Sequence, residues 1–420
     1  MNIYFSGIGG AGIGPLAEIA LDAGHSVVGS DLNKSLFTKE LEKRGVKIYY
    51  NQDGTDIKKQ NSMKPIDRLV YTSALSDDHP ELKFARANGI SVSKRDDFLA
   101  DFIEQHNLKL IAVAGTHGKT TTTGMLIWLF QQLGIATSYS IGTTINFGTS
   151  GKFDPESKYF IYEADEYDCN FLKFYPHIAI LPSVDYDHSD IFPTIDDYRK
   201  AFRQFINQSE RAVMFDKTFE YLEPISGDIE AYEHITSIQE INLPGQHNRD
   251  NAYLAAQAVN DITKKTDKDL HQILSNYPGV GRRFEKLANG IYSDYGHHPT
   301  ELAATIQLAH EINPNVVVVY QPHQNERQIG LINQYKNVFR GVKKLYWLPT
   351  YLPPGDREKS EKILAPDDFI NELANPEIAV PALLNDNLWS DIKKHQSNGD
   401  LVLVMSAGTA DAWLRERLFF

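Results

Sequence analysis

What this 420-residue chain lacks narrows its function before any motif is read. Cys169 is its single cysteine, so neither an intrachain disulfide nor a paired-thiol metal or redox site can form. That points to a reducing, cytoplasmic setting. No apolar run approaches the ~18 residues of a membrane span. The start, Met1 to Ala11, has no basic segment ahead of an apolar one and breaks early into glycines, so neither secretion nor membrane insertion is expected. Positive charge is also short: 42 Lys and Arg against 55 Asp and Glu leave a formal charge of −13, the wrong sign for gripping nucleic acid through nonspecific phosphate contacts. Short repeats and low-complexity tracts are missing too. The remainder, 42% hydrophobic and 23% charged, is ordinary globular composition and excludes a disordered chain. At roughly 100 to 200 residues per domain, it has room for a multidomain enzyme acting on small molecules.

Short β-branched or aromatic runs alternate with amphipathic stretches along the first hundred residues, which predicts a parallel sheet covered by helices. Strands are expected at Asn2 to Ser6, Ser26 to Ser30, Val46 to Tyr50 and Asp67 to Tyr71. A second cycle opens with Leu108 to Ala114 and passes through a glycine turn into a helix from Lys119 to Leu133, with further strands at Tyr159 to Tyr162 and His177 to Leu181. A helical stretch from Asn248 to about Ser275 precedes "NYPGVGRRFE", whose glycines and proline mark a second boundary. Beyond it, Val316 to Tyr320 and Leu401 to Met405 read as buried strands, with helices at Pro299 to Ala309 and Ala407 to Leu418.

The sharpest motif is "AVAGTHGKTTTT", with Gly115, Gly118, Lys119 and Thr120 between a strand and a helix. Backbone N–H groups of such a turn cradle phosphates, the lysine meets terminal phosphate oxygens, and the threonine hydroxyl reaches Mg²⁺. ATP binding is therefore expected at Gly115, Thr116, His117, Gly118, Lys119, Thr120 and Thr121. The longer P-loop pattern would place a further glycine at Val113, so this is a shortened G-x-x-G-K-T variant. Two acidic clusters follow expected strands: Glu163, Asp165, Glu166 and Asp168, then Asp185, Asp187, His188 and Asp190. Alone they would read as solvated loop charge. Beside a phosphate loop, hard oxygen donors and one imidazole at strand ends suit Mg²⁺.

Gly7, Gly9 and Gly12 satisfy G-x-G-x-x-G after the first strand, and Asp31 ends the second where a ribose-binding acid is expected. The pattern reads a pyrophosphate, which NAD and a UDP-sugar both present. In the last third, "SDYGHHPTE" gathers Asp294, Tyr295, His297 and His298 ahead of a helix, and "YQPHQNERQ" gathers His323, Asn325 and Arg327 after a strand. Polar groups at strand ends can position a small substrate. A histidine pair before a helix can equally be a cap, and Arg282 and Arg283 serve phosphate or solvent alike.

Taken together, "GIGGAGIGPLA", "AGTHGKTTTT", "EADEYD", "DYDHSD", "GQHNRDNA", "GVGRRFE", "DYGHHPTE" and "QPH" resemble the Mur ligases of peptidoglycan synthesis, in order over essentially the whole chain. The resemblance implies an α/β fold of three domains: a Rossmann-like UDP-sugar domain over 1–97, a central P-loop ATPase-like domain over 98–278, and a C-terminal Rossmann-like α/β domain for the amino acid over 279–420. It implies ATP and Mg²⁺, with Thr120, Glu163 and His188 on the metal and His247, Asn248, Asn251, Arg283 and Asp294 joining the phosphate loop around ATP. Gly7, Gly9, Gly10, Gly12, Asp31 and Ser73 would line the UDP-sugar, and His297, His298 and Arg327 the amino acid. The branch resembled most adds L-alanine to UDP-N-acetylmuramate. Its nearest rival attaches a preformed tripeptide to the same sugar. Two departures stand out: Phe202, with Lys200 nearby, occupies the place where many relatives carry a carbamylated lysine, and Gln324 follows "QPH" where the alanine branch often has arginine.

The implied mechanism activates a carboxylate by phosphoryl transfer, with Lys119 neutralising charge, before an amine displaces phosphate. His188, His297 and Asp294 are the candidates for the base. A nicotinamide-dependent oxidoreductase would use the first glycine loop and leave the second idle; a noncatalytic ATP-binding regulator would use the second without turnover. A monomer or homodimer is expected.

Overall fold

The structure, a computed structural model, describes all residues except 189–190, 235–240, 353–362 and 420. Three sheets organise the chain. The first is wholly parallel, in the order β3-β2-β1-β4-β5, from β1 Asn2–Ser6, β2 Ser26–Ser30, β3 Lys47–Tyr49, β4 Arg68–Tyr71 and β5 Ser91–Lys94. Parallel strands need helical crossovers, and helices follow each of the five strands in sequence. β1 is buried along its whole length, with Ile3, Tyr4 and Phe5 set between Asn2 and Ser6.

The second sheet has the order β12-β11-β10-β6-β9-β7-β8, with β6 Lys109–Val113 near its centre. Its other members are β7 Thr137–Ser140, β8 Gly151–Lys152, β9 Tyr159–Glu163, β10 Ile178–Leu181, β11 Ala212–Phe215 and β12 Ile229–Tyr232. Only the β7–β8 pair is antiparallel. Since β9 and β10 flank β6 on either side, the chain reverses its winding at the carboxyl end of β6, and ligands of open α/β sheets bind at such a switch point.

The third sheet runs β13-β14-β18-β15-β16-β17, from β13 Glu285–Ala288, β14 Ile291–Asp294, β15 Val316–Gln321, β16 Lys344–Trp347, β17 Ala379–Pro381 and β18 Leu401–Ser406. β15 and β18 are buried at every position. A cluster of Tyr320, Tyr335, Phe339, Trp347 and Phe369 fills one face.

The chain packs as two compact units, residues 1–241 with 250–280, and residues 242–249 with 281–420. The first unit holds two sheets, the second one. The helical stretch expected from Asn248 to Ser275 is two helices, Gln246–Thr263 and Asp267–Leu274. Lys264, at φ +52, breaks the rise, and Thr266 opens the second helix with a reciprocal cap to Asp269. The sequence does not announce strands β5, β7, β8, β11, β12, β13, β14, β16 and β17, each of four residues or fewer.

Candidate functional site

The phosphate loop joins β6 to the helix Lys119–Gln132. Two of its residues must be glycine. Gly115 has φ +136, and a Cβ there would fall 2.4 Å from the Ser183 carbonyl oxygen; Gly118 has φ +85, and its Cβ would fall 2.7 Å from Asn251 Oδ1. The loop is pinned to the strand-end segment after β10, where Thr116 Oγ1 accepts from the Asp185 N–H at 2.9 Å and lies 2.8 Å from the Tyr198 hydroxyl. Gly118 at the N-cap offers no side chain to the first turn.

Lys119 donates to both carboxylate oxygens of Glu166, at 3.0 and 2.8 Å, and to the carbonyl of Gly115. Burial alone would depress its pKa, but the neighbouring carboxylates, Glu166 first, outweigh that and hold the ammonium above its usual range. The Thr120 hydroxyl donates to Glu163 Oε1 at 2.7 Å, and Glu163 Oε2 accepts from the Gly142 N–H at 3.0 Å. His188, at φ +55, stands with Nε2 3.6 Å from Glu166 Oε1 and 3.9 Å from Asp187 Oδ2. The expected metal set thus falls in one neighbourhood, Thr120 and Glu163 in direct contact and His188 reaching it through Glu166. Among the described residues no three His, Cys, Asp or Glu side chains form a closed metal cage. Two hard oxygens in contact fit an ion that shares its shell with phosphate and water, the habit of Mg²⁺. Asp190 lies outside the described residues.

Glu166 is the residue the sequence left in a cluster without a role: almost wholly buried, it is the counter-ion of Lys119. Its spacing three residues after Glu163, past a strand end, was the only signal.

At the first glycine loop, Asp31 turns inward. Its Oδ2 accepts from Gly9 N at 2.9 Å and its Oδ1 from Asn33 N at 3.0 Å, while Ser35 Oγ donates to the Gly9 carbonyl at 2.9 Å. Gly7 takes φ +82 and Gly10 N donates back to its carbonyl at 3.1 Å. Gly12 lies farther along the same loop, and Ser73 sits exposed in the turn after β4.

In the second unit, Asp294 ends β14 and spends both oxygens on backbone: Oδ2 on Phe284 N at 2.8 Å and Oδ1 on Gly296 N at 2.7 Å. Burial raises its pKa, opposed by Arg283 and those two N–H groups. His297 bridges Tyr295 O, 3.2 Å from Nδ1, and Arg327 Nη1, 2.8 Å from Nε2. Arg327 can only donate, so Nε2 is the acceptor and Nδ1 carries the proton. Burial, with Arg327 and His323 adding to it and Glu301 opposing, pushes His297 down to about 3. His298 caps the helix Pro299–Ile312, accepting from Thr300 N, with Glu301 reaching back. His247 is also pushed down, to about 4, by burial and Arg249. Asn248 donates to the Pro244 carbonyl at 3.0 Å, whereas Asn251 lies in the first unit against Gly118. Arg283 lies over the Tyr295 ring at 5.2 Å.

No helix among the described residues is long and apolar enough to cross a membrane. Comparison with known proteins agrees with this architecture. Residues 2–107 match the Mur ligase family catalytic domain, and residues 113–225 the Mur ligase middle domain. A protein of Clostridium acetobutylicum named UDP-N-acetylmuramate–L-alanine ligase is 32% identical over 97% of this chain and 95% of its own length. Among solved structures, the UDP-N-acetylmuramate–alanine ligase of Thermotoga maritima superposes with a TM-score of 0.78 at 23% identity, covering 99% of this chain and 98% of its own. A murein peptide ligase of Psychrobacter arcticus gives 0.70 at 25%, covering 100% and 98%. Each of the three sheets corresponds to one α/β domain of that fold. With a phosphate loop at the switch point of its middle sheet and relatives matched almost end to end, the chain belongs to the Mur ligase family.

Proposed function

We propose that the protein joins L-alanine to the lactyl carboxylate of UDP-N-acetylmuramate at the expense of ATP, a step of peptidoglycan precursor synthesis. One observation carries the reading: Thr120 and Glu163 share a hydrogen bond beside Lys119 in a glycine-cradled turn, in a chain whose near-full-length relatives bear that ligase's name. In this reading the substrate carboxylate attacks the γ-phosphorus of ATP, and ADP leaves with the electrons of the broken P–O bond. Lys119 spreads its charge against the transferring group, and the N–H groups of Gly118 to Thr121 hold the phosphates, those of Thr116 and His117 already donating to Ser183. Thr120, Glu163 and His188 would hold Mg²⁺, which supplies a Lewis-acid counter-charge there.

The amine of L-alanine then attacks the activated carbonyl and phosphate leaves. Its proton needs an acceptor. Asp294 has both oxygens on backbone donors, the lone pair of His297 already takes the Arg327 N–H, and that of His188 would lie on Mg²⁺, so of the acceptors in this reading the departing phosphate takes the proton. Through that same bond His297 fixes the planar Arg327 guanidinium, which suits the carboxylate of the incoming amino acid. His298, as a cap, holds that turn. His247, Asn248, Asn251, Arg283 and Asp294 complete the ATP site, and Gly7, Gly9, Gly10, Gly12, Asp31 and Ser73 the UDP-sugar site, over domains 1–97, 98–278 and 279–420.

The alternative of a preformed tripeptide as the incoming group is less favoured, because the curated relatives matched almost end to end bear the L-alanine ligase's name. An ADP-release assay with UDP-N-acetylmuramate and L-alanine, glycine, L-serine or tripeptide offered separately decides. L-Alanine is expected to dominate; turnover with tripeptide alone would replace this reading. ADP release with none of them would leave a nucleotide-binding protein without ligase activity. Chelation of Mg²⁺ is expected to abolish release.

A further inference from the structure

Arg95 belongs to none of the motifs, yet it is the side chain that joins the first glycine loop to the acidic loop. It opens the helix Arg95–Gln105 directly after β5, at the carboxyl edge of the first sheet. Its Nη2 donates to Asp165 Oδ2 at 3.1 Å, in the "EADE" loop that also carries Glu163 and Glu166. Nε donates to Asp96 Oδ2 at 3.2 Å, and Asp96 is itself held by the Tyr162 hydroxyl at 3.0 Å. Two carboxylates therefore hold the Nε and Nη2 donors of the guanidinium and fix its plane. Nη1 faces the glycine loop: a Cβ on Gly12 would lie 1.8 Å from it. Among the described residues Nη1 has no hydrogen-bond acceptor. The cation is largely buried and stays charged, because burial is opposed by the carboxylates of Asp96 and Asp165.

A buried, oriented guanidinium with one donor edge turned to a pyrophosphate-type loop is a receptor for an oxyanion. We propose that Arg95 binds an anionic group of the UDP-sugar at the Gly7–Gly12 loop, and that Gly12 is glycine because a side chain there would displace the guanidinium. This rests on the UDP-sugar reading of that loop. The anion is either the pyrophosphate or the sugar's carboxylate, and Arg95 presents the same N–H geometry to both. Because its other edge is tied to Asp165, the residue also holds the bound anion in register with the loop that carries Glu163.

The test is calorimetric titration of UDP, UDP-N-acetylglucosamine and UDP-N-acetylmuramate into the full-length wild type, Arg95→Met, Arg95→Lys and Gly12→Ala, each saturated with a non-hydrolysable ATP analogue. Arg95→Met is expected to weaken UDP-N-acetylmuramate about 30-fold, with affinity for the ATP analogue changed less than threefold; this is the loss of one charge-assisted contact. Arg95→Lys should fall between. Equal weakening of all three ligands identifies the pyrophosphate, and weakening of UDP-N-acetylmuramate alone identifies the carboxylate. Gly12→Ala should weaken binding in the wild type but add little to Arg95→Met, since no guanidinium remains to be displaced. Unchanged UDP-N-acetylmuramate affinity in Arg95→Met would overturn the proposal while leaving the sugar reading intact. So would a parallel fall in ATP-analogue affinity, which would make Arg95 a brace between loops and nothing more. A wild type that binds none of the three ligands would overturn the sugar reading and this inference together.

Discussion

Two turns in this protein share one local plan, a strand running through a motif into a helix, and use their polar groups in opposite ways. At the first, β6 runs through Gly115 to Gly118 into Lys119–Gln132; at the second, β14 runs through Tyr295 to His298 into Pro299–Ile312. The first helix begins behind a glycine that supplies no cap, and its lysine and threonine reach carboxylates from a neighbouring strand end. The second begins with a reciprocal His298–Glu301 cap, and Asp294 ties down its own backbone. A helix start without a side-chain cap keeps its N–H groups and positive dipole end available to an anion; a capped one has already used part of both. The first turn is thus shaped around a guest and the second around itself, although both are equally dense in polar residues.

The comparison breaks most visibly at Lys119. Lys119→Ala is expected to lower ADP release about 10³-fold, as loss of a preorganised charge at a transferring group does, and to leave Glu166 buried without its counter-ion. Near-normal ADP release would remove the guest from the first turn. Asp294→Ala acts on the second turn through folding: two backbone N–H groups lose their acceptor, at about 2–3 kcal/mol, read by denaturant unfolding without nucleotide. An unchanged midpoint would mean the aspartate is not tying that turn.

The pH dependence sharpens the contrast. His297 has a folded pKa pushed down to about 3, so between that value and its unfolded value near 6.5 the unfolded chain binds a proton the folded chain refuses. Stability is therefore full above pH 6.5 and lost as pH falls, by about 2 kcal/mol between pH 6.5 and pH 5 from this residue. His297→Gln should flatten that part of the curve; parallel curves for the two proteins would contradict the buried neutral imidazole. The smallest effect is expected at His298, where Ala should cost about 1 kcal/mol as a lost cap and Asn should restore most of it. Failure of Asn to rescue melting temperature would argue that His298 does more than cap.

Periodicity and turn chemistry make the first two sheets legible as far as their longer strands. Asn2–Ser6 and Ser26–Ser30 can be located to the residue because five consecutive buried or nearly buried positions carry their own signal. Ser91–Lys94 and Glu285–Ala288 escape such a reading because their composition is polar; each becomes a strand only by adding to an edge already formed. The phosphate loop is legible because lysine, threonine and two positionally constrained glycines occur together for no cheaper structural reason. Backbone strain is not legible. Among the described residues, Asp168, His188, Arg282, Phe284 and Gln324 all hold positive φ, and each lies in or beside a motif, where a packed surround can sustain a conformation that local preference resists.

Some things were settled by the linear chain. Its composition, the shortened glycine-lysine-threonine turn and the spacing of strands and helices determine an α/β protein with a phosphate site, because these depend on residue type and near neighbours. Tertiary structure alone decided which carboxylate meets which cation. Glu166 rather than a neighbour pairs with Lys119, His297 yields its lone pair to Arg327, and Arg95 reaches a loop 70 residues farther along the chain, because the direction of a side chain at a strand end is set by the sheet that surrounds it.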